Sequence, residues 1–409
     1  MTLPETPGRL SERGSAEPQR LETVETTSVE NEPSAASVVS TRPVASAGGA
    51  GCGLDGSRAM RLGRPASRSR VVDPFGVSAD PAMPWLEKAL DPATVLGHLV
   101  PNVDCLNTPN LVRELESIRV LRYKPSRRCL IEFELCLRLP GRPPQQISIL
   151  GKARAKGVSH AGYEAYRALW SCGFDEHSAD QVSVPEPLGV ISELRMCLQR
   201  KVPGRRASGL LAGPEGVRRA QQIAAAVLKL HRVSVRAPRR HTIGDELANL
   251  QERLAHVAQL KPESSKRLER IQGACRRLAE SLPPARPCLC HRDFYPDQVL
   301  IDGQRIWIVD LDLLSTADPC LDIGNFLGHM TELSLRQYRN ASALDEQERA
   351  LEECYVQQVG EAVRPSIRAY ALLTLVRHIA LSTQFEDRRW LTEPLMNLCE
   401  ESLRKLKLI

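Results

Sequence analysis

No apolar run in the 409-residue chain comes near the length of a membrane crossing. The longest stretches, such as Ala369 to Val376, fall far short of the roughly 20 residues a helix needs to span a bilayer. A membrane channel is excluded on that ground. Aromatic residues are scarce as well, with 7 Tyr, 6 Phe and 4 Trp, so a core must be filled mainly by Leu, Val, Ile and Ala, which suits helix-rich packing. No Lys/Arg block is long enough to follow a phosphate backbone: 55 basic and 49 acidic residues are interspersed, leaving a net charge of +6. Nucleic acid is therefore not an expected partner. The twelve Cys are scattered, several within apolar segments, and no secretory apolar segment is evident, so a reducing cytoplasm is the expected setting. Cys288, Cys290 and His291 are neighbours, but no second Cys/His cluster completes a zinc set, and buried thiols on a strand are the preferred reading.

Residues 1 to 75 are rich in Ser, Pro, Gly, Ala, Glu and Arg and show no sustained apolar period, which reads as a disordered tail. From Pro81 the pattern changes. Trp85, Leu86, Ala89, Leu90, Val95 and Leu99 predict one or two short helices. Ile118 to Tyr123, Cys129 to Leu137 and Gln146 to Ala153 are β-rich runs, the first two joined by the hairpin signal Lys124-Pro-Ser-Arg-Arg128. Ser159 to Trp170 reads as a helix, and Val182 to Leu194 returns to strand character. Beyond Lys201-Val-Pro-Gly204 the chain turns helical, with Val217, Ala220, Ile223, Ala224, Val227, Leu230 and His231 on one face. A β-rich interlude over 287 to 312 interrupts the helices, and further breaks fall near Pro262, Pro365 and Pro394. The expected organisation is a tail (1–75), a β-rich lobe (76–195), a hinge (196–204) and a helical lobe (205–409).

The densest chemistry lies in His291-Arg-Asp-Phe-Tyr-Pro-Asp-Gln298, followed by Ile308-Val-Asp-Leu-Asp312. Asp293 precedes one strand and Asp310 ends the next, so a tight hairpin joined at Asp302-Gly303 would bring both carboxylates to one site. Phosphoryl transfer uses such a set. One carboxylate orients a hydroxyl and accepts its proton, another holds Mg²⁺ on the nucleotide phosphates, and a carboxamide completes the metal geometry. Asp293, Asp310 and Gln298 have the right groups, and Asp312, two residues on along an extended strand, would point the same way as Asp310.

This segment resembles the catalytic loop of the aminoglycoside phosphotransferase and choline kinase-like phosphotransferase enzyme family, which belongs to the protein kinase-like superfamily. His291, Asp293 and Asp310 match its pattern, Arg292 stands where Gly is usual, and Gln298 stands where Asn is usual. Asp318-Pro-Cys-Leu-Asp322-Ile-Gly resembles the segment that follows, in which Asp322 would hold the catalytic loop. The resemblance implies an α+β, two-lobed protein-kinase-like fold, with a small β-rich N-terminal lobe and a larger, mainly helical C-terminal lobe. It implies ATP and Mg²⁺ as cofactors. Lys152 would bind phosphate with Glu164 as its ion-pair partner, and Ser126, Arg127 and Arg128 would occupy the nucleotide-covering turn without its usual glycines. Met196 to Arg200 would read the adenine through main-chain groups. Asp310, Gln298 and Asp312 would be the metal ligands, with Asp297 as a compensating one.

The expected activity is transfer of the γ-phosphate of ATP to a hydroxyl of a small molecule: an amino-sugar, a sugar or an amino alcohol. A catalytically silent nucleotide-binding pseudokinase is the alternative, suggested by Gln298 and the missing glycines. The acceptor itself is not readable, since residues 331 to 409 hold 12 acidic and 11 basic side chains, nearly in balance. The oligomeric state is equally open.

Overall fold

In a computed structural model of the chain, the described residues are 69–409; the tail expected over 1–75 lies outside them except for its last residues. Those last residues depart from the expectation. Strand β1 (Arg70–Val72) pairs in parallel with the start of the lobe's sheet, Arg70 opposite Ser117 and Val72 opposite Arg119. A three-residue edge strand is held by backbone hydrogen bonds, so it leaves almost no side-chain period to read.

The short helices α1 (Leu86–Ala89) and α2 (Pro92–Asn102) follow where the Trp85 to Leu99 pattern places them. Asp91 caps α2 by accepting the Thr94 N–H at 2.8 Å, and Pro92 takes the first turn, where a missing N–H costs nothing. Three long antiparallel strands come next: β2 (Val112–Lys124), β3 (Arg128–Arg138) and β4 (Gln145–Arg154). Along β3, Ile131, Phe133 and Leu135 alternate into the core, and Ile147 and Ile149 do so from β4. Helix α3 (His160–Leu169), capped by Ser159, leads to β5 (Val182–Ser183), β6 (Pro187–Ile191) and β7 (Met196–Arg200). The sheet of this small lobe runs β1-β2-β3-β4-β7-β6. Its apolar face closes over Leu86, Val95 and Leu99 of the two short helices.

Residues expected to form a hinge divide in two. Met196–Arg200 is a strand hydrogen-bonded to β4 along its length, so the connection out of the sheet is only residues 201–204. Gly204 sits at φ 112, and a Cβ there would lie 2.9 Å from the Ile301 carbonyl oxygen, so the crossing requires glycine. A short strand then precedes the expected helix: β8 (Arg205–Arg206) leads to α4 (Gly216–Arg232), α5 (Ile243–Leu260) and α6 (Ser265–Glu280). On α4, Ala220, Ile223, Ala224, Val227, Leu230 and His231 are buried as the pattern predicts, while Val217 is exposed.

The β-rich interlude comprises β9 (Cys288–Cys290), β10 (Val299–Asp302) and β11 (Arg305–Ile308), and one further strand, β12 (Ser315–Ala317), lies beyond its expected end at 312. These strands form two small sheets, β5-β11-β10-β8 and β12-β9. Helices α7 (Cys320–Tyr338), α8 (Asp345–Val359), α9 (Arg364–Gln384) and α10 (Thr392–Lys405) complete the large lobe. Breaks fall near Pro365 and Pro394 as expected, each proline lying in the first turn of the helix that follows, α9 or α10. Helix α7 packs closely on α9 at Gly324 and Gly328, where an added Cβ would lie 2.6 Å from the Ile367 carbonyl oxygen and 2.7 Å from that of Ala371. The chain is thus an α+β, two-lobed protein-kinase-like fold. No described helix is long and apolar enough to cross a membrane.

Candidate active site

The loop between β9 and β10 is held from below by one buried carboxylate. Asp322, at the start of α7 and fully buried, accepts the backbone N–H of His291 at 2.8 Å and that of Arg292 at 2.7 Å. It also bonds His231 Nε2 at 3.0 Å, while His231 Nδ1 meets the Tyr355 hydroxyl at 2.9 Å. A carboxylate with three such partners fixes the loop in one shape. His291 points inward, its Nε2 bonded to the Val309 carbonyl oxygen at 2.9 Å, and so ties the loop to the end of β11. Both His231 and His291 are thus engaged in hydrogen bonds that hold the fold. Arg292 adopts φ 71, a left-handed conformation that glycine takes without strain. The surrounding hydrogen bonds keep an arginine in it.

This anchoring delivers Asp293 and Asp310 to the same place. Burial pushes the Asp293 carboxyl above its usual range, Arg377 pulls it partly back, and Asp310 pushes it further up. Asp310 follows β11 in a left-handed turn at φ 61. Its Oδ1 accepts from Lys152 Nζ at 2.9 Å, and although burial opposes ionisation, the Lys152 ammonium holds the carboxyl well below the ordinary range. Lys152 itself ends above its ordinary value, because Asp310 and Asp312 outweigh the effect of burial. The Gln298 amide donates to Asp310 Oδ2 at 3.3 Å and to the Tyr295 hydroxyl at 3.2 Å.

Other expected residues are placed differently. Glu164 does not pair with Lys152: it is 65% exposed on the outer side of α3 and meets Arg167 at 3.5 Å. The position Glu164 was expected to fill is taken by Asp310 and Asp312, the latter 3.6 Å from Lys152 Nζ. Asp312 is not on an extended strand, since β11 ends at Ile308 and residues Leu311–Leu313 form a 3-10 turn. That turn carries Asp312 to Arg154 of β4 as well as to Lys152. Asp297 bonds the Ser208 hydroxyl rather than joining Asp310. In the β2–β3 turn, the Ser126 backbone N–H is taken by Asp80 Oδ2 at 2.8 Å, which also accepts from the Tyr123 hydroxyl at 2.8 Å. Ser126 therefore has no N–H to give a phosphate. The Arg127 backbone bonds Lys124 and Ala155, and Arg128 begins β3 with its charge close enough to lower both Asp293 and Asp310. Sequence reasoning missed Arg154 and Arg122, which also reaches the field of Asp310. For Arg154 the signal was the strand alternation that places it two residues from Lys152, on the same face.

The donor set fits a hard divalent cation. Two carboxylates, Asp310 and Asp312, stand together with a side-chain amide whose oxygen reaches the same point when the group is turned over, and all are oxygen ligands. The sulfur set does not compete. His231, Cys288 and Cys290 come within 4.8 Å of one another, but both ring nitrogens of His231 are already hydrogen-bonded.

Two solved structures show the same fold by superposition. One is a Ralstonia eutropha protein provisionally named an aminoglycoside phosphotransferase, 13% identical, covering 77% of this chain and 98% of its own, with a TM-score of 0.52. The other is a choline kinase from Cryptosporidium parvum, 13% identical, covering 78% of this chain and 98% of its own, with a TM-score of 0.50. No curated protein matches the chain. At such identity the superpositions speak for the fold alone. The sequence profile of the phosphotransferase enzyme family, by contrast, matches residues 152–365, just over half of the chain, and begins on Lys152. The chain belongs to the phosphotransferase enzyme family.

Proposed function

We propose that the chain transfers the γ-phosphoryl group of ATP to a hydroxyl of a small molecule, with Mg²⁺ held by Asp310, Asp312 and Gln298. The observation that carries this reading is the Lys152 Nζ to Asp310 Oδ1 contact at 2.9 Å beside the buried Asp293. We assign the nucleotide to the β-rich lobe (76–195) and the acceptor to the helical lobe (205–409). In this reading Lys152, Arg154 and Arg128 face the phosphates. A bound divalent cation would supply charge neutralisation on the phosphate oxygens.

The step is a displacement. The acceptor oxygen forms a bond to the γ-phosphorus while the bond from that phosphorus to the β–γ bridging oxygen breaks, and its electron pair leaves with ADP. Asp293 aligns the hydroxyl and receives its proton; a carboxyl raised by burial is a better base than an ordinary one. Purified chain with ATP, Mg²⁺ and a panel of hydroxylated small molecules should transfer phosphate, and Asp293→Asn should slow transfer by about 10² to 10⁴ while circular dichroism stays unchanged. Equal turnover by that variant would refute the assignment.

A further inference from the structure

Next to Asp293, the helical lobe gathers imidazole and guanidinium groups. The Tyr295 ring stacks on His329 of α7 with centroids 4.6 Å apart, and His329 meets His378 of α9 edge-on at 4.5 Å. Both imidazoles are more than nine-tenths buried, and the Nε2 of each has no hydrogen-bond partner. Burial first, then Arg336, Arg377 and Arg388, keep His329 and His378 well below the usual imidazole range; His378 adds to the effect on His329 and Arg253 to that on His378, so both rings are neutral. Arg377 Nε and Arg388 Nε are also buried without partners. Unsatisfied buried polar atoms are rare in native proteins, and four in one cluster beside a catalytic carboxylate ask for a functional reason.

The charges there do not cancel. Glu332 matches Arg336 at 2.9 Å, and Glu246 lies 3.6 Å from Arg377 while also bonding His241. Among the described residues Arg388, whose side chain is 13% exposed, has one ion pair, to Asp387 at 3.9 Å, and that carboxylate is 78% exposed to water. The buried Glu332 also reaches Arg388 through its field but is bonded to Arg336, so the two guanidinium groups share one buried carboxylate. Arg388 lies within the field of Asp297 and of His329, two and four residues respectively from Tyr295 in sequence and from Asn325 on α7. Arg377 extends the cluster to Asp293 itself, within whose field it lies, and to the Asn325 side chain. An ammonium-bearing acceptor placed here would be repelled, whereas an oxyanion would meet planar guanidinium donors suited to it.

We propose that the phosphoryl acceptor carries an anionic group, a carboxylate or a phosphate, held by Arg388 and Arg377 while its hydroxyl faces Asp293. This rests on the phosphotransferase reading above and narrows its substrate to acidic alcohols. Four probes of one carbon skeleton separate the cases: gluconate and glucose 6-phosphate as anions, glucose as neutral, glucosamine as cation. Calorimetric titration of the full chain should show gluconate or glucose 6-phosphate binding at least about tenfold more tightly than glucosamine, and which of the two is preferred identifies the anion. Arg388→Gln should remove that preference and raise KM for the anionic acceptor about tenfold with kcat changed less than about threefold, and Arg388→Lys should restore much of it. Preference for glucosamine or glucose, equal or undetectable binding of all four, or an unchanged anion affinity in a folded Arg388→Gln variant would overturn the inference. The wild-type comparison needs no variant to fold. ATP binding and acceptor-free ATP hydrolysis, measured on the same preparation, test the parent reading separately. If nucleotide neither binds nor is hydrolysed while anion binding still depends on Arg388, the kinase reading fails and the anion site stands.

Discussion

Lys152 Nζ of β4 lies 2.9 Å from Asp310 Oδ1, joining two residues 158 positions apart and bridging the sheet lobe to the helical lobe. The contact explains how a partly buried lysine and a partly buried aspartate both remain charged, each supplying the other's counter-ion. Replacing Lys152 with Met should therefore raise KM for ATP or lower kcat, by about tenfold or more in kcat/KM, as steady-state kinetics at saturating acceptor would reveal.

Glu164 should behave otherwise. Its carboxylate is exposed and pairs with Arg167, so Glu164→Ala should leave kcat/KM for ATP within about twofold of the parent chain. A loss as large as that of Lys152→Met would mean that α3 turns inward when nucleotide binds.

The pH profile follows from Asp293. A base must be ionised to accept a proton, and burial raises its carboxyl above the ordinary range, so activity should begin to fall on acidification at a higher pH than for a solvated aspartate. The acid limb of kcat/KM against pH reports this directly. Asp293→Asn should lower kcat by about 10² to 10⁴ and abolish that limb.

Asp322 is the structural keystone of the loop that carries Asp293. Asp322→Ala would orphan the His291 and Arg292 backbone N–H groups and His231 Nε2, all at or near a fully buried position. The expected loss is about 3 to 5 kcal/mol, to be read from urea denaturation midpoints. Asp322→Asn keeps one acceptor and should lose less.

Glu348 on α8 gives stability its own pH dependence. Burial pushes its carboxyl up to about 8, against an ordinary value of 4.5, and the Thr331 hydroxyl only partly offsets this. Between those limits the unfolded chain binds fewer protons than the folded one, so this group's contribution to stability is full below about pH 4.5 and is lost as pH rises towards 8. Glu348→Gln should flatten the fall of Tm across that window relative to the parent chain.

Much of the site was readable because its signals are local. His291, Asp293, Gln298 and Asp310 span a hairpin whose turn, Asp302-Gly303, is written in neighbouring residues, and Asp322 belongs to a short motif following it. Glu164 misled for the opposite reason. A glutamate on a helix after a strand lysine marks a plausible ion pair, but which way α3 presents it depends on packing that sequence spacing does not contain. Asp312 shows the same limit at shorter range, where a left-handed Asp310 ended the strand and a turn, not an extended backbone, set its direction.

The sequence by itself therefore determined the order of the longer elements, the loop that carries Asp293 and the chemical types it offers, because strand alternation, turn residues and helix caps act over a few positions. Only the tertiary structure decided which charges meet: Lys152 with Asp310 and Asp312, Ser126 with Asp80, and Arg388 with the water-exposed Asp387 at 3.9 Å. Composition showed residues 331 to 409 as nearly neutral, yet the fold distributes those charges unevenly. It turns Arg336, Arg377 and Arg388 towards the buried pair His329 and His378, burying Glu332 against Arg336 and leaving Asp387 in water. Electrostatic energy depends on distance and burial, and both are set by folding, not by the count of residues.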